Sequence, residues 1–186
     1  MPTETGSDVI TELDPPVVEQ LLSDISEKEI SELVISFYNS EKFTQLQRFS
    51  DYKNEAEIYL NEKDYYLYGI IDKLIIAGKK IRIVDYKTDD IQAKIIKDIA
   101  NYYLNQLNFY ANIVSKLHKD FEQIEIKIIF LKHPDIPFSM VYRKTDIERI
   151  ETEITAAIKG ILRGDSSKNL LHCKECNFSF KNRCII

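Results

Sequence analysis

The chain has 186 residues, 44% of them hydrophobic and 30% charged, the composition of a single globular domain long enough to bury a real core. No apolar run approaches the roughly 18 residues of a membrane span and the N-terminus lacks a signal-peptide pattern, so a cytoplasmic location is the default expectation. The formal charge of −5 does not advertise a nucleic-acid binder, because phosphate contacts need Lys and Arg; an acidic N-terminal third turned away from the strand would ease that objection.

Residues 1–50 are expected to form a helical region packed on the core, and residues 51–186 the core itself with a cysteine-containing tail. Met1 to Leu13 is polar. Asp14-Pro15-Pro16 is a break from which a short helix can run through Leu22. Ser26-x-x-Glu29 has the pattern of a capping box, after which Ile30, Leu33, Val34 and Phe37 recur at helical spacing. A second short helix is expected over Glu41 to Phe49. These helices carry no assignable chemistry.

Tyr52 to Leu60 reads as the first strand, with Glu55, Glu57 and Tyr59 on one face. Two β-rich runs follow, Tyr66 to Ala77 and Lys80 to Thr88, flanking Gly78-Lys79, where Gly in the first central position suits a type II′ turn. Counting outward from that turn sets Asp72 directly opposite Asp85. Opposed residues on antiparallel strands have Cβ atoms about 4.5–5.5 Å apart, so the two like charges repel and call for a positive group between them. Lys87 projects on the same face as Asp85, one pleat further on. Two converging carboxylates beside an ammonium suit partial coordination of a hard divalent cation such as Mg²⁺, with positions left for water and phosphate. The competing reading is a hairpin whose solvated end happens to carry charges.

Asp98 is expected to cap a helix running to about Lys119, on which Ile99, Tyr103, Gln106, Tyr110, Ile113 and Leu117 form one stripe. Gln106 and Tyr110 are neighbours at i and i+4. A glutamine within an apolar stripe needs a partner, either a backbone group of the sheet or the site itself. Gln123 to His133 alternates as a strand, and Phe138 to Arg143 can pair with it after the turn at Pro134 to Pro137. Thr145-x-x-Glu148 is expected to cap a last long helix, with Ile147, Ile150, Ile154, Ala157, Ile158 and Ile161 facing inward and Gly164 closing it. Strands extending a hairpin on both sides, with helices around them, give an α/β layer architecture. The tail holds Cys173-x-x-Cys176 and, after seven intervening residues, Cys184, a pattern that suits thiolate ligation of zinc or an iron-sulfur cluster, with His172 as a candidate fourth ligand for zinc; reduced, unligated thiols are the competing reading.

Taken together, Gly69-Ile70-Ile71-Asp72, Asp85-Tyr86-Lys87-Thr88 and Tyr103-x-x-Gln106-Leu107-x-x-Tyr110 resemble the motif series of the PD-(D/E)XK nucleases. More narrowly they resemble the RecB/AddA-type nuclease domains of bacterial helicase-nucleases. The resemblance runs from about Glu55 to the C-terminus. It implies a restriction-endonuclease-like core, a central mixed β-sheet flanked by helices, and a Mg²⁺- or Mn²⁺-dependent deoxyribonuclease, an exonuclease, acting in DNA repair, recombination or processing. A catalytically inactive DNA-binding or interaction module that keeps the fold is the alternative. In the active reading Asp72, Asp85 and the carbonyl of Tyr86 hold the metal and Lys87 orients or activates water. Glu55 and Gln106 support the site, with Glu57 the rival to Glu55 if the register slips, and Tyr110 touches the strand. DNA is the implied partner, with a helicase domain or subunit as a second. Several relatives hold an iron-sulfur cluster with a C-terminal cysteine trio and one upstream cysteine. This chain has no upstream cysteine and no histidine before His118, where many members place a metal-site histidine. Both gaps fall in the same region, which motivates the hypothesis that the chain is a piece of a larger helicase-nuclease.

Overall fold

The computed structural model describes residues 27–89 and 91–165. The anticipated helix after Asp14, the Ser26 cap, and the whole tail with His172, Cys173, Cys176 and Cys184 lie outside the described residues. Two short helices come first, α1 (Glu27–Tyr38) and α2 (Glu41–Gln47). Three strands follow: β1 (Tyr52–Asn61), β2 (Tyr66–Ala77) and β3 (Lys80–Lys87). A 3₁₀ turn over Ala93–Ile95 leads into the long α3 (Ile96–Leu117). The chain returns as β4 (Gln123–Phe130), β5 (Phe138–Tyr142) and α4 (Lys144–Leu162).

The strands form one five-stranded sheet in the order β1-β2-β3-β4-β5. Only the β3–β4 pair is parallel, joined through α3, which makes the sheet mixed. That pair is buried on both faces, and its sequence shows it: Ile83, Val84 and Asp85 are consecutively buried, as are Ile128, Ile129 and Phe130. The β2–β3 hairpin turns where the sequence indicates, with Ala77 facing Lys80. Gly78 has φ +60° and Lys79 is not left-handed, as a type II′ turn requires.

Two cores sit on opposite faces of the sheet. The larger gathers Ala56, Ile58, Ile71, Leu74, Ile83 and Ile126 beneath Leu107, Ala111 and Val114 of α3, with Ile147 and Ile150 of α4. The smaller consists of Leu46, Ile75, Val84 and Ile129, packed by Phe37, Phe49 and Tyr86. Lys116 ties the first layer together by bridging Glu62 and Glu151, each at 2.9 Å.

Several local expectations need correction. Asp98 is inside the first turn of α3 and Ile95 holds the N-cap position without a side-chain bond, because the preceding 3₁₀ turn feeds the helix directly. α4 starts two residues earlier than a Thr145 cap implies, with Arg143 at the N-cap; Asp146 closes its first turn by accepting from Arg143 N at 2.9 Å. Ile161 and Leu117 are exposed because their helix ends run past the sheet, and Ile30 and Val34 are exposed because α1 meets the core only through its C-terminal end.

Asp72 and Asp85 also depart from simple opposition. The β2–β3 ladder stops at Lys73 opposite Val84, one pair short of the two acids. Side-chain alternation reverses at this level in β1 and β2 alike. Ala56 and Ile58 point into the larger core, whereas Asn54 and Tyr52 contact Lys73 on the other face. Ile71 and Leu74, three residues apart, both enter the larger core. The hinge of this reversal is Glu55, with φ +47° and no place in a β1–β2 ladder that otherwise runs from Tyr52 to Asn61. A left-handed non-glycine residue costs on the order of 1–3 kcal/mol, which the well-paired strands on either side sustain.

Candidate active site

β3 ends where β2 pulls away from it, and the gap is closed by side chains. Asp72 Oδ2 accepts a hydrogen bond from Tyr86 N at 2.8 Å, replacing the backbone partner that the ladder would have supplied. Asp85 follows the inward face of β3 set by Ile81 and Ile83 and is only 3% exposed. Its Oδ2 lies 2.8 Å from Lys87 Nζ, and burial pushes its carboxyl above the usual carboxylate range, with Lys87 opposing the shift and the charges of Asp72 and Asp89 reinforcing it. Tyr86 faces the smaller core against Phe37, and burial, then the Asp72 charge, raises its phenol to about 12.

α3 crosses this end of the sheet and supplies the rest. Lys87 Nζ donates to Gln106 Oε1 at 3.3 Å, and Gln106 Nε2 donates to Tyr110 Oη at 2.9 Å. The ammonium also stands 4.3 Å above the Tyr103 ring. Tyr103 Oη in turn donates to Asp89 Oδ1 at 2.6 Å. Tyr110 is buried and packs on Gly69, where a Cβ would fall 2.6 Å from its Cε1. Thus Gly69, Asp72, Asp85, Lys87, Gln106 and Tyr110 occupy one connected locus although they come from three separate sequence motifs.

Glu55 stands apart from this network. It is exposed and, with Asp72, Lys73 and Tyr86, lines a cleft of about 560 Å³ walled by Phe37, Tyr38 and Phe43 on the α1–α2 side. Gln106 is exposed as well, so its stripe ends at solvent and its partners are Lys87 and Tyr110 rather than the sheet backbone. Two participants were not foreseen. Tyr103, given no role on its helix stripe, lies under the Lys87 ammonium; its place at the head of the Tyr-x-x-Gln motif was the available signal. Among the described residues Lys73 is buried with no carboxylate partner, held by Asn54 Oδ1 at 3.2 Å and the Tyr52 ring at 3.5 Å, and desolvation lowers its pKa. Nothing in the sequence marks it, because its burial follows from the alternation reversal.

Among the described residues no three His, Cys, Asp or Glu side chains gather closely enough to hold a metal by themselves. Asp72 and Asp85 do converge at the end of the β2–β3 ladder, and the Asp85 Oδ2 atom is buried with no hydrogen-bond donor satisfying it beyond the Lys87 ion pair. A buried carboxylate oxygen met only by the Lys87 ammonium, and near enough to Asp72 to feel its charge, belongs to a donor set that fits a Mg²⁺ ion completed by water and substrate oxygens.

A family model described as the PD-(D/E)XK nuclease superfamily matches residues 8–184. No curated protein matches the sequence. Among solved structures, the chain is similar to the protein SSO0001, with 18% identity, 83% of this chain and 76% of that chain covered, and a TM-score of 0.42. It is also similar to a protein from Eubacterium rectale provisionally described as an exonuclease, with 15% identity, 92% and 71% covered, and a TM-score of 0.50.

Proposed function

The chain belongs to the PD-(D/E)XK nuclease superfamily, and on that premise we propose that it is a divalent-metal-dependent deoxyribonuclease that hydrolyses phosphodiester bonds at the Asp72–Asp85–Lys87 locus. The observation that carries this reading is the placement of Lys87 Nζ, 2.8 Å from a buried carboxylate and tethered by Gln106. An ammonium has three N–H donors, and these two partners leave one for the attacking water or a phosphoryl oxygen. Asp72, Asp85 and the Tyr86 carbonyl would hold Mg²⁺ or Mn²⁺. When bound, the metal supplies Lewis acidity and a water of lowered pKa.

The other residues position these groups. Gln106, itself fixed by Tyr110, keeps Lys87 from swinging into solvent. The Tyr103 ring supports the ammonium from one side without neutralising it. Asp72 is oriented by Tyr86 N, so the two acids are set by opposite strands of one hairpin. Glu55, opposite Asp72 on the neighbouring strand, would contact a water or a nucleotide entering the aromatic cleft, and Tyr110, buried against Gly69, acts through Gln106 rather than on the nucleic acid itself. Exonuclease action agrees with the provisional description of the Eubacterium rectale protein. The motif resemblance to RecB-type domains makes a helicase the first protein partner to seek, by co-purification.

The test is cleavage of linear and circular DNA, single- and double-stranded, with Mg²⁺ or Mn²⁺, by the chain and its Lys87→Ala variant. Metal-dependent cleavage should fall by about 10²–10³ in the variant, the usual cost of one transition-state donor. Attack confined to linear substrates identifies an exonuclease. DNA binding without cleavage by the wild-type protein would replace the proposal with the non-catalytic module.

A further inference from the structure

Positive charge is concentrated at one place away from the acids. Lys42 of α2, Arg48 at its C-cap, Arg82 of β3 and Lys127 of β4 line a cavity of about 280 Å³, with Gln45, Leu46 and Phe49 completing its wall. Glu125 pairs with two of these cations: Arg82 Nε donates to its Oε2, and Lys127 Nζ lies 3.0 Å from its Oε1. Ser139 Oγ donates to the same Oε1 at 2.7 Å. The carboxylate is thereby saturated from three directions and has nothing left for Lys42 or Arg48. Lys42 Nζ donates only to the neutral Gln45 Oε1, at 3.1 Å, and among the described residues Arg48 forms no ion pair. A structural ion pair therefore accounts for Arg82 and Lys127 and leaves the other two cations facing the cavity without an anion.

The cavity is preorganised as well as charged. The Arg82 guanidinium is clamped between Glu125 and the Phe49 ring, 4.7 Å from Cζ to centroid, so its terminal amino groups are held in fixed directions. Its position relative to the acids is set by the sheet. Lys127 neighbours Val84, and Val84 neighbours Lys73, the residue after Asp72. Arg82 and Lys127 alternate with Ile81, Ile83, Ile126 and Ile128, so the cavity opens on the smaller-core face of the sheet, the face on which Asp72 lines the aromatic cleft.

We infer that this cavity seats a backbone phosphate of the polynucleotide substrate. The inference rests on the nuclease reading for the identity of the polyanion. It also answers the charge of −5: a single pocket captures the strand where the surface as a whole does not.

The experiment is equilibrium binding of a fluorescently labelled DNA oligonucleotide to the full chain in EDTA, across a salt series, for the wild type, the Lys42→Ala/Arg48→Ala variant and the charge-preserving Lys42→Arg/Arg48→Lys variant. Removing both cations should weaken binding several-fold and reduce the slope of log K against log salt by about 0.7–0.9, the loss of one phosphate contact. The charge-preserving variant should retain most of the affinity. Wild-type affinity and slope in the Ala variant would overturn the inference, as would an effect on inorganic phosphate binding alone. Because no divalent metal is present, pocket-dependent binding by a chain that never cleaves DNA would sink the catalytic proposal and leave this one standing.

Discussion

Under the proposed mechanism, Asp85 is the residue on which stability and chemistry pull in opposite directions. Its carboxyl is raised mainly by burial, so the folded chain binds that proton more tightly than the unfolded one. Stability from this group is complete below the unfolded pKa and is lost as pH rises through the folded pKa. Asp85→Asn, neutral at every pH, should therefore melt above the metal-free wild type at pH 7, the difference closing as both are acidified, while cleavage is abolished. Equal or lower melting of the variant at pH 7 would contradict this account. Gly69 gives a second residue-scale prediction. An added Cβ would sit 2.6 Å from Tyr110 Cε1, so Gly69→Ala should cost about 1–3 kcal/mol by overpacking and, by shifting the Tyr110 hydroxyl that holds Gln106, lower kcat more than KM. Tyr110→Phe, which keeps the ring and loses only the hydroxyl, should reproduce the kinetic loss in milder form without the stability cost. At this scale the meeting of Asp85 with Lys87 was legible, because it follows from period-2 counting along one strand, whereas the place of Asp72 is set by the break in alternation that counting does not show. The roles of Tyr103 and Lys73 were not, because each depends on which face a neighbouring element presents.

At the scale of elements, β3 and β4 are read correctly for the same reason that they are stable: β-branched residues cover both faces. Glu125 joins them to β5 through Arg82, Lys127 and Ser139. Burial opposes its ionisation, yet the three donors hold its pKa down at about 2. The associated stability is present above the ordinary value of 4.5 and is lost as pH falls toward 2. Glu125→Gln should cost about 3 kcal/mol in urea unfolding at pH 7 and progressively less as pH falls below the usual carboxylate range. The helices were placed well and their ends poorly. Asp98 and Thr145 have good capping chemistry, but tertiary context starts each helix elsewhere, through a 3₁₀ turn in α3 and through Asp146 in α4. The reversal of alternation at Glu55 was invisible for a plainer reason: period-2 reading assumes an unbroken pleat, and no glycine marks the left-handed residue.

For the whole molecule the unequal cores matter most. The layer under α3 and α4 contains most of the fully buried residues, whereas α1 and α2 are fastened through Leu46, Phe37 and Phe49 to a few side chains of the sheet. Hydrogen exchange should accordingly show α2 amides opening well below the global unfolding free energy and those of Leu107 to Ser115 exchanging only through global unfolding. Uniform protection of both layers would refute the asymmetry. The parallel pairing of β3 with β4 adds an ordering in time. β1, β2 and β3 find one another through short turns, but β4 arrives only after residues 88–122 have closed their crossover, a contact of long sequence separation. As the chain leaves the ribosome, Asp72 and Asp85 therefore meet before α3 can bring Gln106 and Tyr103 to Lys87. The network around Lys87 is the last part of the locus to form, so a half-made copy has its acids in place and its lysine still untethered.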